Sequence, residues 1–396
     1  MNKGNGRIIF CCNVPFPNGN AGAVRVFYVV KALMEAGRNV LVIAYGNGHD
    51  NGDSQVKEYR GVRYTTYDES RKAVFRFLNT RILGGVHCVR KLRRMNLSLD
   101  DIVYIYANNS SFVYPFYTYC QKRNIKQFID VVEWHQAHQY GEGFYNRIRF
   151  KLLDYTFTTL SPKIHNIVAI STCIEQHFKK QSCNVMIIPP LTEEKKAVVE
   201  AEGTSALGKV NIIYPGIPFE KDDISIMLHA IKALPEDILD NVCFHLTGIT
   251  EEVLRKYLKD KAPILDELVA NGNLVIHGVI PYNELEKLYE NMDFLLLSRY
   301  EDLVNEANFP SKIPELMTRG IIPIGNKVGD YYTYLKNGED SFLFDRNNVE
   351  ECRDAIVTAI AATRGCMDAF KERARKCAME HFDFSMWSQR ISDFLK

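Results

Sequence analysis

Short unbroken apolar runs alternate along this chain with stretches of helical period, and that alternation predicts strand–helix–strand units. Residues 7–14 form the first apolar run, which stops in Pro15-Phe16-Pro17-Asn18-Gly19-Asn20-Ala21-Gly22. Val24, Phe27, Tyr28, Val30, Lys31, Leu33 and Met34 then follow a helical period up to Gly37, and a second run covers 39–45. A glycine-bearing loop therefore lies where a first strand hands over to a first helix, the place where doubly wound sheets bind ligands. Gly19 and Gly22 lack the three-glycine spacing of a dinucleotide fingerprint. Both remain candidates to line a site there, as does Arg25 in the first turn of the helix, for which a solvated helix arginine is the plain alternative. Further strands are expected at 101–107, 127–132, 166–171 and 185–190, and helices at 147–160 and 172–180.

The polar run 192–209 has the composition of a linker, and beyond it the pattern restarts. Strands are expected at 210–214, 242–247, 273–277, 294–298, 321–324 and 343–345, with helices at 224–234, 349–362 and 367–381. A closing helix at 384–395 shows an apolar face of Phe384, Trp387, Ile391, Phe394 and Leu395. At 396 residues the chain exceeds one core and suits two domains. The expected division is 1–191, a linker at 192–209, and 210–383.

The stretch from Asn305 to Ile324 carries the sharpest local chemistry. Pro310 restricts Phe309 to extended backbone, Ser311 is a candidate N-cap, Pro314 is tolerated in a first turn, and Gly320 ends the helix. Free N–H groups at Ser311, Lys312 and Ile313, next to the Lys312 charge, make an anion site. Glu315 shares that face, and its carboxylate repels phosphate but accepts hydrogen bonds from vicinal hydroxyls. A sugar nucleotide offers both groups; a capped surface helix feeding a buried strand is the plain alternative. A second phosphate contact is expected where the strand 210–214 ends in Gly216, with Lys221 at the next helix start. Arg299 follows the strand before the Asn305 stretch and is placed to neutralise a pyrophosphate.

Charge changes the picture more than overall composition does, since 46% hydrophobic and 24% charged residues are ordinary. Residues 1–200 carry 27 Lys and Arg against 16 Asp and Glu, whereas 201–396 carry 22 against 32. The first half thus has reason to approach something anionic, a lipid surface or a pyrophosphate-linked acceptor. Within it, residues 71–94 hold Arg71, Lys72, Arg76, Arg81, Arg90, Lys91, Arg93 and Arg94 among apolar residues and no acid. That basic amphipathic segment reads as a membrane-surface element attracted to anionic headgroups at about 1 kcal/mol per basic residue, with a solvated helix as the plain alternative. Nucleic acid is not expected, because no zinc finger, RNP motif or basic repeat accompanies the charge. The ten cysteines show no metal or redox spacing and are expected to be reduced. With no leader-like apolar stretch at the start and no long apolar window, a cytoplasmic location on the inner membrane face is expected. In Asp130-Val131-Val132-Glu133-Trp134-His135-Gln136-Ala137-His138, a strand end carries two histidines and two carboxylates, with no clear third ligand for a metal.

Together these landmarks resemble glycosyltransferase family 4, the retaining enzymes of GT-B fold, and within it bacterial capsule and exopolysaccharide transferases. The residues that carry the resemblance are the Gly19 to Arg25 loop and helix, Asp130 to Trp134, Ile170-Ser171, Pro189-Pro190, Gly216 with Lys221-Asp222, Arg299, Asn308 to Lys312, and Glu315 with Gly320. The resemblance implies two Rossmann-like doubly wound α/β domains facing across a cleft, the first holding the acceptor and the second the donor. It also implies that the closing helix, about 384–396, packs back on the first domain. Glu315 would bind the ribose, Lys221 and Arg299 the diphosphate, Phe309, Pro310 and Ser311 the phosphate and sugar through their backbone, and Gly278 and Val279 the base. The family commonly has two glutamates separated by seven residues, and Ala307 stands where the first would fall. Glu306 or Asn308 is then expected to take over the sugar hydroxyls. Near the reacting sugar the candidates are Glu133, His135 and His138, with Glu133 favoured. No metal and no cofactor beyond the nucleotide-diphosphate sugar are expected, and the acceptor is expected to be lipid-linked. A sugar-nucleotide epimerase of the same fold and a non-catalytic two-lobed scaffold are the alternatives.

Overall fold

The structure, a computed structural model, describes residues 6–17, 20–45, 55–67, 82–195 and 209–396. Its internal contacts divide it into two compact units, Met1–Leu191 with Phe384–Lys396, and Thr192–Asp383. Most of the expected linker, 196–208, lies outside the described residues.

The first unit is an eight-stranded sheet in the order β3-β4-β2-β1-β5-β6-β7-β8. Its strands are β1 (Ile8–Pro15), β2 (Val40–Tyr45), β3 (Lys57–Tyr59), β4 (Val62–Thr66), β5 (Ile102–Tyr106), β6 (Lys126–Val131), β7 (Asn166–Ala169) and β8 (Asn184–Ile187). All pair in parallel except β3, which is antiparallel to β4. That edge hairpin was not expected from the sequence pattern. It turns on Arg60 and Gly61, both at positive φ (49° and 85°), as a two-residue hairpin turn requires. The main helices are α1 (Ala21–Glu35), α2 (Gly84–Arg94), α3 (Ser110–Arg123), α4 (Phe144–Tyr155) and α5 (Thr172–Lys179). Asn20 and Asn109 cap α1 and α3 by accepting from backbone N–H groups, and Ser171 caps α5 in the same way. Buried β1 and α1 residues form the core, where Phe10 stacks on Tyr104 at 4.3 Å between centroids. The C-terminal helix Phe384–Phe394 packs on α1, with Trp387, Ile391 and Leu395 buried in that core.

The second unit is a six-stranded sheet in the order β11-β10-β9-β12-β13-β14, parallel throughout. The strands are β9 (Val210–Pro215), β10 (Val242–Thr247), β11 (Leu274–Gly278), β12 (Phe294–Leu297), β13 (Ile322–Asn326) and β14 (Phe342–Phe344). Counted from β9 this is the 3-2-1-4-5-6 order of the Rossmann sheet, which reverses direction between β9 and β12. Its helices include α6 (Ile224–Lys232), α7 (Glu251–Leu258), α8 (Pro263–Ala270), α9 (Tyr282–Tyr289), α10 (Lys312–Met317), α11 (Val349–Thr363) and α12 (Met367–Phe382). β12 is wholly buried, as its run of Phe and Leu demands. The chain thus has two mixed α/β units, each built on a parallel sheet.

Candidate functional site

The second unit gathers its candidate residues at the carboxyl ends of its strands, around the switch point between β9 and β12. β9, β10 and β11 end in Gly216, Gly248 and Gly278, all at positive φ (125°, 83° and 69°). The Gly216 N–H donates to Thr247 O at 3.0 Å and the Gly248 N–H to Gly278 O at 2.8 Å, so the three ends form one backbone shelf. A Cβ on Gly248 would lie 2.8 Å from the Gly216 Cα, a backbone clash that only glycine avoids. Ile217 and Val279 stand exposed beyond it.

The loop after Gly216 is fastened to the chain that leaves β12. Tyr300 N–H donates to Lys221 O at 3.2 Å and Asp223 N–H to Ser298 O at 2.6 Å, making an isolated bridge between Asp222 and Arg299. Asn326, at the end of β13, holds the Arg299 backbone from the other side through bonds of 2.7 and 2.8 Å. Three side chains from separate elements converge on one buried carboxylate. Asp222 accepts from Tyr214 Oη at 2.6 Å, Lys312 Nζ at 3.1 Å and Arg299 Nε at 3.3 Å. Burial alone would raise the Asp222 carboxyl, but Lys312 and Arg299 hold it below the usual carboxylate range. The Lys312 ammonium also lies 3.8 Å from the centroid of the Tyr214 ring, and its Cε would lie 3.2 Å from a Cβ on Gly216. Lysine therefore crosses directly over the glycine shelf. Burial, with repulsion from Arg299 and Lys221, pulls the Lys312 ammonium below its ordinary value despite Asp222.

Arg299 requires a correction. The expected direct pyrophosphate contact is not available, because its side chain is 1% exposed. Nε faces Asp222, Nη2 donates to Asn308 Oδ1 at 3.0 Å, and Nη1 is buried with no partner among the described residues. It is a supporting charge beneath Asp222 and Lys312. Ser311 is a second correction, since its hydroxyl makes no cap bond and its backbone is helical, at φ −60° and ψ −18°. The preceding turn closes instead through Ile313 N–H to Pro310 O at 3.1 Å. Ile313 N–H is thus not free for an anion, whereas among the described residues the N–H groups of Ser311 and Lys312 have no acceptor.

Glu315 lies one turn further on, half-buried, and its carboxylate meets no hydrogen-bond donor among the described residues. Burial raises its pKa, against the pull of Arg319 and Lys195. Arg319 is itself paired to Glu286 at 2.8 Å, while the exposed Tyr282 borders the same acid cluster. An acceptor that has no protein partner among the described residues, with Arg319 and Lys195 as the cations acting on it, fits a ligand hydroxyl. Ala307 is fully buried, so the position of the first family glutamate is an interior one here. Asn308 is buried, and its side-chain carbonyl oxygen accepts from Arg299. Glu306 remains exposed, with Oε2 accepting from Gly329 N–H at 3.2 Å. Phe309 is buried against Tyr334 and Phe382, and Pro310 is buried beside it.

The first unit has its own polar cluster at the ends of β5 and β6. His135 Nδ1 lies 2.8 Å from Tyr140 Oη, and its Nε2 lies 3.0 Å from Asn108 Nδ2 and 3.3 Å from Glu133 Oε2. Three groups therefore orient one imidazole, while His138 is exposed in the short 3-10 turn Ala137–Tyr140. Among the described residues no three metal-ligating side chains come together. Arg25 is corrected too: it is buried, pairs with Asp130 at 2.9 Å, and donates to the carbonyls of Ile188 and Pro189 at 3.0 and 3.3 Å. Desolvation and saturation make it a structural clamp. Gly22 packs closely in α1, where a Cβ would lie 3.0 Å from Tyr106 Oη, and Gly19 lies outside the described residues. In the basic segment, 71–81 also lie outside them, and Lys91 is corrected, because its ammonium is tied to Thr65 Oγ1 and Thr66 O at 2.7 and 2.6 Å. Arg90, Arg93 and Arg94 are exposed on α2. Sequence reasoning passed over Asn108, Tyr140 and Tyr214, whose positions at or just beyond strand ends were the available signal.

Residues 198–377, nearly all of the second unit, match the family described as glycosyl transferases group 1. Solved structures share the fold over almost the whole chain. A glycosyltransferase from Rickettsia africae is 14% identical, with 99% of each chain covered and a TM-score of 0.66. Sucrose-phosphate synthase from Thermosynechococcus elongatus is 14% identical, with 98% of each chain covered and a TM-score of 0.71. Anabaena HepE, solved with UDP and glucose, is 13% identical, with 98% of this chain and 99% of that chain covered and a TM-score of 0.68. Comparison with curated protein sequences returns no match. The second unit thus carries the match to glycosyl transferases group 1, and the chain as a whole has the GT-B fold of these solved structures.

Proposed function

We propose that the chain transfers a sugar, with retention of anomeric configuration, from a nucleotide-diphosphate donor to a lipid-linked glycan acceptor in cell-surface polysaccharide synthesis. The observation that carries this reading is the arrangement at the β9–β12 switch point. Lys312 crosses the Gly216 turn with Lys221 close enough to depress its pKa, and the Glu315 carboxylate, without a donor among the described residues, follows one helical turn later. Cations held at the leaving diphosphate stabilise the negative charge that builds as the sugar departs. Lys221 and Lys312 take that role, Arg299 and Asp222 position Lys312 from below, and Glu315 accepts from the ribose hydroxyls. Gly278 and Val279 contact the base through their backbone. HepE has been solved with UDP-glucose on the same fold, which supports a donor of that chemical class.

In the first unit, Glu133 and the oriented His135 are the polar groups offered to the reacting sugar. No metal enters the scheme. Exposed Arg90, Arg93 and Arg94 associate the protein with the inner, anionic face of the cytoplasmic membrane, where a lipid-linked acceptor resides. The test is release of nucleotide diphosphate from a panel of sugar nucleotides, with and without lipid-linked acceptor. Release that requires acceptor supports transfer. A sugar altered without acceptor points to an epimerase, and the absence of both binding and release to a scaffold.

A further inference from the structure

Helix α4 in the first unit has an unusual distribution of side chains. Of its twelve residues only Leu153 is buried, while Phe144 is 81% exposed and Tyr145, Ile148 and Tyr155 are exposed as well. Phe144, Ile148, Lys151 and Tyr155 fall at i, i+4, i+7 and i+11, so they form one outward stripe along the helix. Leu153 and the half-buried Phe150 point the other way. Arg147 flanks the stripe, and Arg149 stacks its guanidinium on Tyr140 at 5.0 Å. Asp154 is the sole acid in the helix.

A stripe with Lys151 set among its apolar residues is poor chemistry for a dry protein interface, whose core is depleted in lysine. It suits a bilayer surface, where rings enter the headgroup boundary and basic side chains extend to phosphate. Charge complementarity favours the same occupant. α3, which packs on both α2 and α4, ends in Lys122 and Arg123, and α2 exposes Arg90, Arg93 and Arg94. The half of the chain containing these helices carries 27 basic against 16 acidic residues.

We propose that α4 is an interfacial helix that seats the first unit on an anionic phospholipid surface, with Phe144, Ile148 and Tyr155 inserted and Arg147 and Lys151 on the headgroups. This deepens the membrane part of the reading above, rests on that part alone, and names a different element from the basic segment. The test is co-sedimentation of the full chain with vesicles of equal parts phosphatidylglycerol and phosphatidylcholine, against phosphatidylcholine alone, without sugar nucleotide. Binding to the anionic vesicles only, weakened roughly tenfold or more both by Phe144→Ser with Ile148→Ser and by Arg147→Glu with Lys151→Glu, is the expected result. These side chains are exposed, so melting temperatures should match the wild type. Wild-type binding by both pairs of variants, with loss only when Arg90, Arg93 and Arg94 are reversed, overturns the role of α4 and leaves the basic segment. Failure of the wild type to bind at low salt overturns both, and donor turnover then tests sugar transfer separately. Self-association abolished by Phe144→Ser with Ile148→Ser would make the stripe a contact between copies and also overturn the proposal.

Discussion

Each unit buries a Tyr–Asp–Arg group at its sheet, and the two groups differ in how completely they are satisfied. In the first, Asp130 takes Arg25 and Tyr104, and the guanidinium adds two backbone carbonyls. In the second, Asp222 takes Arg299 and Tyr214 but also Lys312, while Arg299 Nη1 has no partner among the described residues and the Lys312 side chain is 23% exposed. A closed group can only hold a fold together. An open one, whose last cation reaches the surface beside unpartnered backbone N–H groups, has capacity left for an anion.

Substitutions separate the two groups most sharply where one buried partner is removed. Asp130→Ala leaves the Arg25 guanidinium unpaired in the core and should cost about 3–5 kcal/mol of stability, read by denaturant unfolding, with donor affinity unchanged in the folded fraction. Lys312→Ala and Lys221→Ala should do the reverse. Turnover should fall on the order of 100-fold or more while donor affinity and melting temperature change far less. Turnover equal to wild type in either variant removes that lysine from the mechanism. Asp222→Asn keeps the shape but not the charge, and its signature is in acid. The folded Asp222 value lies below its ordinary one, so between the two values the unfolded chain binds more protons and stability rises with pH. That contribution is lost as pH falls through the folded value, and Asp222→Asn should lack this part of the acid loss. The smallest effect belongs to Glu315→Gln, which should weaken donor binding by about tenfold, the loss of one charge-assisted hydrogen bond. Because burial raises the Glu315 pKa, its charged form is a burden on the empty fold. The same variant should therefore melt slightly higher without ligand, as a thermal scan would show.

Hydrophobic periodicity alone was sufficient for most parallel strands and many helices, because a buried strand reads as a short, largely apolar run. It failed at α3, where Pro115 falls inside the helix and tyrosines blur the apolar face, and at the β3–β4 edge, whose strands are short and polar. At the β9–β12 switch point, Gly216, Lys221, Lys312 and Glu315 stood out in the sequence because special backbone angles and charges leave a local mark. Arg25 and Arg299 were not, since whether an arginine faces solvent or a buried carboxylate depends on a partner far along the chain: Asp130 for one, Asp222 for the other.

The sequence by itself determined the α/β class, the restart of the pattern after residue 209, and the residue types able to hold phosphate and hydroxyls. Only the tertiary structure decided which charges are closed off and which stay open. Local pattern dictates secondary structure, but the strength and direction of a charge depend on what surrounds it, and that is assembled from segments up to 164 residues apart.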